Sequence, residues 1–159
     1  MPSYYYIIPA VIGVVAVVMA FFRRLPAAAV AFVAMIAASM FGWAMFPQGQ
    51  YWFWGIAALI VTINLYLDSQ PPLLSLRLYT VGGALAGSVV GAAFGSTASL
   101  IVGGALGAFL GFEAFRRTPD GTMNASLPRR LSIFASVAIP AIVAFYIVIL
   151  TFAQLPLFR

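Results

Sequence analysis

The feature that most restricts the fold of this chain is its division into long, uncharged apolar stretches separated by short turns. Hydrophobic residues make up 64% of the 159 positions and charged residues only 7%, whereas a soluble domain is about half apolar and about a quarter charged. A water-soluble fold of this length cannot hide so much apolar surface, but a lipid bilayer solvates it. The sequence therefore predicts an all-α integral membrane protein, a single-domain polytopic bundle of about six transmembrane helices.

Short turn signals divide the chain into its predicted spans. Two turns, Arg23-Arg24-Leu25-Pro26 and Pro47-Gln48-Gly49-Gln50, close the first two apolar runs. A third, Asp68-Ser69-Gln70-Pro71-Pro72, closes the next run, because consecutive prolines cannot continue a helix. We predict spans at residues 4–22, 27–46, 51–67, 79–95, 98–115 and 131–152 within one domain, 1–159. Basic residues follow the first run and do not precede it, which is the reverse of a signal peptide, so we expect it to stay as a helix.

The glycine-rich stretch from Tyr79 to Phe115 is too long for one transmembrane helix. Its 37 residues would extend about 55 Å as a single helix, against a hydrocarbon core of about 30 Å. Gly95-Ser96-Thr97 is the natural break, and it leaves two short arms of about 16 residues each. Two spanning helices and a re-entrant hairpin both fit such arms, and both return the chain to the same side.

The arginines predict the orientation of the bundle. If the N-terminus is outside and the glycine-rich stretch crosses and returns, seven of the eight arginines lie on the cytoplasmic side. These seven are Arg23, Arg24, Arg77, Arg116, Arg117, Arg129 and Arg130. This arrangement obeys the positive-inside rule. We therefore predict three hairpins in a bacterial inner membrane, with both termini outside.

Small residues recur every four positions through the glycine-rich stretch. The series is Gly83, Gly87, Gly91, Gly95, Ser99, Gly103, Gly107 and Gly111. Helices in lipid gain little from the hydrophobic effect when they associate, and glycine at this spacing lets two backbones touch. We predict a glycine zipper, a packing seam between two arms at the centre of the bundle. A re-entrant element that lines a pore and a contact between oligomer subunits are the alternatives.

Leu25-Pro26 precedes the predicted second helix, Leu67-Asp68 ends the third, and Gly107-Ala108-Phe109-Leu110-Gly111 is followed by Phe112-Glu113. Together these motifs resemble those of the uncharacterised bacterial membrane-protein family catalogued as domain of unknown function four-five-six. The chain departs from the family pattern in the extra residue between Gly111 and Glu113 and in a shorter connector after Asp68. The resemblance implies a fold of hydrophobic hairpins with a glycine-rich pair of arms. It implies no biochemical activity.

Little in the sequence points to catalysis. The chain has no cysteine and no histidine, which excludes thiolate chemistry, Cys/His zinc sites and a histidine base. No ionisable residue lies in the middle of a predicted span, where proton-coupled transporters carry one. We therefore predict no catalytic residue, no cofactor, no metal site and no nucleic-acid partner. Asn64 is expected to form a hydrogen bond between helices.

The remaining charges lie at the predicted cytoplasmic interface. Glu113 precedes Arg116 and Arg117 by three and four residues, the spacing of an ion pair within one helix. Asp68 and Arg77 form a second possible pair across a short connector. Two basic pairs flank one polar loop and are expected to contact anionic lipid headgroups or, alternatively, an acidic partner protein. These pairs are Arg116 with Arg117 and Arg129 with Arg130.

Two functional hypotheses follow from these patterns. The first is a non-enzymatic scaffold or accessory subunit that packs through its small-residue seam with itself, as a homo-oligomer, or with a larger membrane complex. The second is a passive channel or small-solute transporter gated by the glycine-rich hairpin. Liposome flux and native purification distinguish the two.

Overall fold

The computed structural model describes residues 4–22, 25–42, 44–67, 73–121 and 125–154. Throughout these residues the regular structure is helical, which confirms the all-α prediction and the number of helices. The six α-helices are α1 (Tyr4–Phe21), α2 (Ala27–Met40), α3 (Gln48–Leu67), α4 (Leu74–Ala93), α5 (Thr97–Arg116) and α6 (Leu127–Phe152). A short 3-10 turn, Pro119–Gly121, follows α5.

Helix α2 ends six residues before the predicted limit of its span, at Met40 rather than at residue 46. Gly42 follows in a left-handed conformation, with φ of +74°, and donates its N–H to the Ser39 carbonyl at 3.0 Å. The Ala44 N–H then reaches back to the Ala38 carbonyl at 3.3 Å. A glycine in this conformation is the usual end of a helix, so the chain turns here although its residues stay apolar.

The glycine-rich stretch forms two helices of 20 residues each, α4 and α5. The break falls where the sequence predicts it, since Gly95 adopts a φ of +72° and the Ser96 hydroxyl caps α5 by accepting from the Ser99 N–H at 3.0 Å. Helix α4 begins at Leu74, five residues before the predicted span. Each arm is therefore about 30 Å long, close to the thickness of a hydrocarbon core.

Helix α6 is the centre of the bundle and packs against each of the other five α-helices. The prediction that the glycine-rich pair is central is therefore wrong: α4 and α5 pack mainly on each other, and α5 otherwise touches α6 and the 3-10 turn. The faces of α4 and α5 that carry the small residues pack against each other. Helix α6 instead buries residues on several sides, Ala141 and Ala144 together with the larger Phe145 and Ile147.

The helices that surround α6 are arranged partly as sequential pairs. Helices α1 and α2 pack side by side, as α4 and α5 do, whereas α3 packs against α2 and α6. The outward faces of the described helices are apolar, with exposed side chains such as Val14, Ile56, Val90 and Leu106. Within the described residues, four helices, α3 to α6, are long and apolar enough to cross a membrane, and α1 and α2 are shorter apolar helices.

Candidate functional site

Seven of the eight residues in the small-residue series lie where α4 meets α5. A Cβ atom on Gly83 would lie less than 3.0 Å from the Gly107 carbonyl oxygen, and one on Gly107 would meet the Gly83 carbonyl in the same way. Gly87 and Gly103 oppose each other reciprocally. The other close approaches are Gly91 to Ser99 and Gly111 to Tyr79. Real Cβ atoms essentially never come this close to another atom, so the two backbones touch at these points.

The remaining member, Gly95, lies in the turn and has open space around it. Near this turn, the Ser99 hydroxyl donates to the Gly91 carbonyl at 2.8 Å and joins the ends of the two arms. Because a single added methyl group does not fit between the arms, no solute fits there either. The small-residue face is thus occupied within the chain and is not presented to a partner.

Beside this contact, α4 carries buried hydroxyl groups. Thr80 and Ser88 are both fully buried, and neither hydroxyl oxygen has a hydrogen-bond partner among the described residues. Gly104 on α5 leaves the space that the Ser88 hydroxyl needs, since a Cβ there would lie 2.6 Å from it. Buried hydroxyls of this kind cost free energy unless something pairs with them.

The predicted basic cluster lies around the loop between α5 and α6. Glu113 accepts a hydrogen bond from Arg116 at 2.7 Å, with both side chains about one-third exposed. Glu113 therefore pairs with the arginine three residues later and not with Arg117, four residues later. Arg117 is the C-cap residue of α5 and is exposed. Arg129 is exposed and Arg130 half-buried in the first turn of α6. The predicted partner of Arg77, Asp68, lies outside the described residues.

Asn64 does not join two helices as predicted. Its side-chain amide is exposed and donates to the Ile60 carbonyl of its own helix at 3.0 Å. The buried positions of α3 are Ala58 and Val61, and Asn64 is not among them. A polar amide therefore lies on an otherwise apolar outer face.

The most unusual site in the bundle is a buried arginine that the sequence assigned to a connector. Arg77 lies in the second turn of α4 and is only 7% exposed. Its Nε donates to the Ala20 carbonyl, near the C-terminus of α1, at 3.2 Å. A cation at this end of a helix is favoured by the helix dipole and by the unpaired carbonyls of the last turn. Arg77 therefore joins α4 to α1.

A small cavity adjoins the Arg77 side chain and has room for about one water molecule. Besides α1 and α4, its wall includes the α1–α2 turn, the first turn of α2, the C-terminal half of α3 and the middle of α6. The residues that define it are Ala20, Leu25, Pro26, Ala27, Ala28, Val61, Thr62, Leu65, Arg77, Pro140 and Ala141. The Thr62 hydroxyl oxygen is buried there without a hydrogen-bond partner among the described residues.

One sequence signal would have placed Arg77 in the core. Arg77, Val81, Ala84 and Ser88 follow the spacing of one helical face, and all four are buried. The prolines before Leu73 concealed this pattern, because they made the segment look like a loop that continued through Arg77.

Among the described residues that line the Arg77 cavity there is no carboxylate, histidine or cysteine, and therefore no proton-transferring base. Among the described residues there is no group of three or more His, Cys, Asp or Glu side chains that could hold a metal ion. Compared with known protein families, with curated proteins and with solved structures, the chain has no significant match in any of the three.

Proposed function

We propose that this chain is an integral membrane protein whose six helices cross a bacterial inner membrane, with both termini outside. Four long apolar helices support the proposal, as do the apolar outer faces of the bundle. The arginines of the described residues fall at one end of the helices, around the starts of α4 and α6 and the end of α5. This asymmetry is the one that the positive-inside rule requires, and anionic headgroups would contact the exposed Arg117 and Arg129.

Within this membrane protein, the function that the geometry supports best is that of a non-enzymatic scaffold or accessory subunit. The observation that carries it is the backbone contact between α4 and α5, which makes a rigid hairpin anchored on α6. Because that hairpin uses its glycines internally, partners would pack on outer faces that carry side chains. This modifies the initial hypothesis, in which the glycine seam itself makes the contact. The partner is a second copy of the chain or a larger membrane complex.

Native purification tests the scaffold function directly. The full chain is extracted in a mild detergent and in native-membrane nanodiscs, and everything that co-purifies is measured by native mass spectrometry. A stoichiometric foreign subunit or a defined homo-oligomer is the expected result. A single monodisperse monomer in both preparations would overturn the scaffold function.

The passive channel is the competing function, and the same hairpin argues against it. A gate between α4 and α5 needs the two arms to separate, and their backbones touch at Gly83, Gly87 and Gly103. We expect liposomes that contain the purified chain to show no flux of ions or small neutral solutes above that of empty liposomes. Flux that Gly87→Leu abolishes and Ala86→Leu preserves would favour the channel, since Ala86 is exposed on the same helix.

A further inference from the structure

Helix α3 lies at the edge of the bundle. It packs mainly against α2 and α6, and its buried positions are Ala58 and Val61. Large apolar side chains cover much of its remaining surface, and Phe53, Ile60 and Leu67 are each more than half exposed. Most of the surface of α3 is therefore open to lipid or to another protein.

An exposed amide lies within this apolar surface. The Asn64 side chain donates to the Ile60 carbonyl of its own helix, and among the described residues no other group pairs with it. Asn64 lies about 10 Å from the middle of α3 along the helix axis. In a membrane-spanning α3 the amide thus falls inside the hydrocarbon core, whose half-thickness is about 15 Å. Hydrocarbon solvates the apolar neighbours of Asn64, but it cannot form a hydrogen bond with the amide.

The residues in line with Asn64 are spaced as in a two-stranded coiled coil. Steps of three and four residues alternate along the α3 stripe, which we define as Gln50, Phe53, Ala57, Ile60, Asn64 and Leu67. This heptad spacing is that of a seam where two helices meet at a small crossing angle. Asn64 has an a position of the heptad, where one asparagine fixes the register and the number of strands. Ala57, one heptad earlier, is small enough for two helices to approach closely.

From these features we infer that α3 is a homodimer surface, at which the α3 stripes of two copies pack in parallel and their Asn64 amides pair with each other. The inference rests on the proposed function as a membrane scaffold and names its partner as a second copy of the chain. A two-fold axis along the membrane normal brings the same residue of both copies together. An amide then complements itself, because it carries both donors and an acceptor.

Cysteine cross-linking tests the geometry of this dimer, because the natural chain has no cysteine. Leu67→Cys places a thiol on the α3 stripe. Tyr66→Cys is the matched control, since Tyr66 is the neighbouring residue and is also exposed, but it is directed about 100° away around the helix. In oxidised native membranes we expect a covalent dimer from Leu67→Cys, whose two thiols lie within reach of a disulfide, and little from Tyr66→Cys.

Dilution in liposomes tests the role of the amide. Energy transfer between labelled copies of the full chain gives the monomer–dimer equilibrium as the lipid-to-protein ratio rises. We expect Asn64→Leu to raise the dissociation constant of the dimer by about 10-fold, which corresponds to the loss of an amide hydrogen bond between helices in lipid. Tyr66→Leu, outside the α3 stripe, should leave the dissociation constant unchanged.

Three results would overturn the inference and leave the scaffold function in place. They are a dimer that Asn64→Leu does not weaken, equal cross-linking of Leu67→Cys and Tyr66→Cys, and a foreign subunit that covers α3 in place of the second copy. A chain that stays monomeric at every dilution and co-purifies with no other protein would overturn both the inference and the scaffold function.

Discussion

Gly83 and Gly82 are adjacent on α4, but the structure predicts opposite effects when each is replaced by alanine. A methyl group on Gly83 would lie less than 3.0 Å from the Gly107 carbonyl oxygen, which belongs to the backbone and cannot rotate away. A methyl group on Gly82 would have its nearest neighbour, the Phe21 ring, at 3.9 Å, which is ordinary contact. The two variants therefore change the same helix by the same group, and only one of them enters the contact between the arms.

The expected loss of stability in Gly83→Ala depends on how far α4 and α5 must move apart. To accept the methyl group at Gly83, α4 and α5 must separate by about 1 Å, and a gap of that size forfeits a quarter to a half of each dispersion contact. Overpacking of this kind costs about 1–3 kcal/mol, and the better helix propensity of alanine returns up to about 1 kcal/mol. We expect Gly83→Ala to lower the free energy of unfolding by about 1–2 kcal/mol.

Gly82→Ala should leave the free energy of unfolding unchanged or raise it by up to about 1 kcal/mol. The assay is reversible unfolding in mixed micelles of a mild detergent and sodium dodecyl sulfate, followed by far-UV circular dichroism. If Gly83→Ala were as stable as the unmodified chain, the backbone contact would not contribute to stability. If Gly83→Ala and Gly82→Ala lowered the free energy of unfolding equally, the loss would not come from the contact with the Gly107 carbonyl. The reasoning from that contact would then fail.

Three further predictions use the same chain. Arg77→Gln should lower the free energy of unfolding by about 2–3 kcal/mol, because it replaces a buried charged hydrogen bond, while exposed Arg117→Gln should change it by no more than about 0.5 kcal/mol in the same assay. Gly42→Ala should cost about 1–2 kcal/mol, since its φ of +74° strains any residue with a Cβ although the surrounding space is open. The natural chain has no cysteine, so Ser96→Cys and Ser126→Cys should react with an impermeant thiol reagent from opposite sides of oriented vesicles, and labelling of both from one side would contradict the proposed topology.

The sequence was sufficient for the fold class and for the break between α4 and α5, because the responsible signals are local. The turn predicted at 47–50 is wrong in extent, since α3 already begins at Gln48. Proline, glycine and serine at the breaks act within a few residues, so the turn at Gly95-Ser96 falls where it was predicted. The early end of α2 could not be predicted, because no local signal in the side chains marks it. Phe41 and the residues after Gly42 are as apolar as the helix before them, and only the backbone conformation of Gly42 shows that the helix stops.

The central position of α6 could not be predicted from its own sequence. In a chain where every helix is apolar on all sides, hydrophobicity does not distinguish the face that meets protein from the face that meets lipid. The buried Ala138, Ala141 and Ala144 become informative only when neighbouring helices are in place. Arg77 is similar, because its burial depends on α1 and α3, which are distant in the sequence.

Two different kinds of packing hold the bundle together, and they have different consequences for function. Helices α4 and α5 meet through backbone atoms, so their separation is fixed, and the pair moves as one body. Helix α6 meets its neighbours through side chains such as Phe145 and Ile147, which can repack when a helix shifts. A conformational change in this protein would therefore take place between the α4–α5 pair and the rest of the bundle. Arg77 lies at that boundary, where α4 contacts α1, so loss of its hydrogen bond to the Ala20 carbonyl should weaken the contact between the α4–α5 pair and the rest of the bundle.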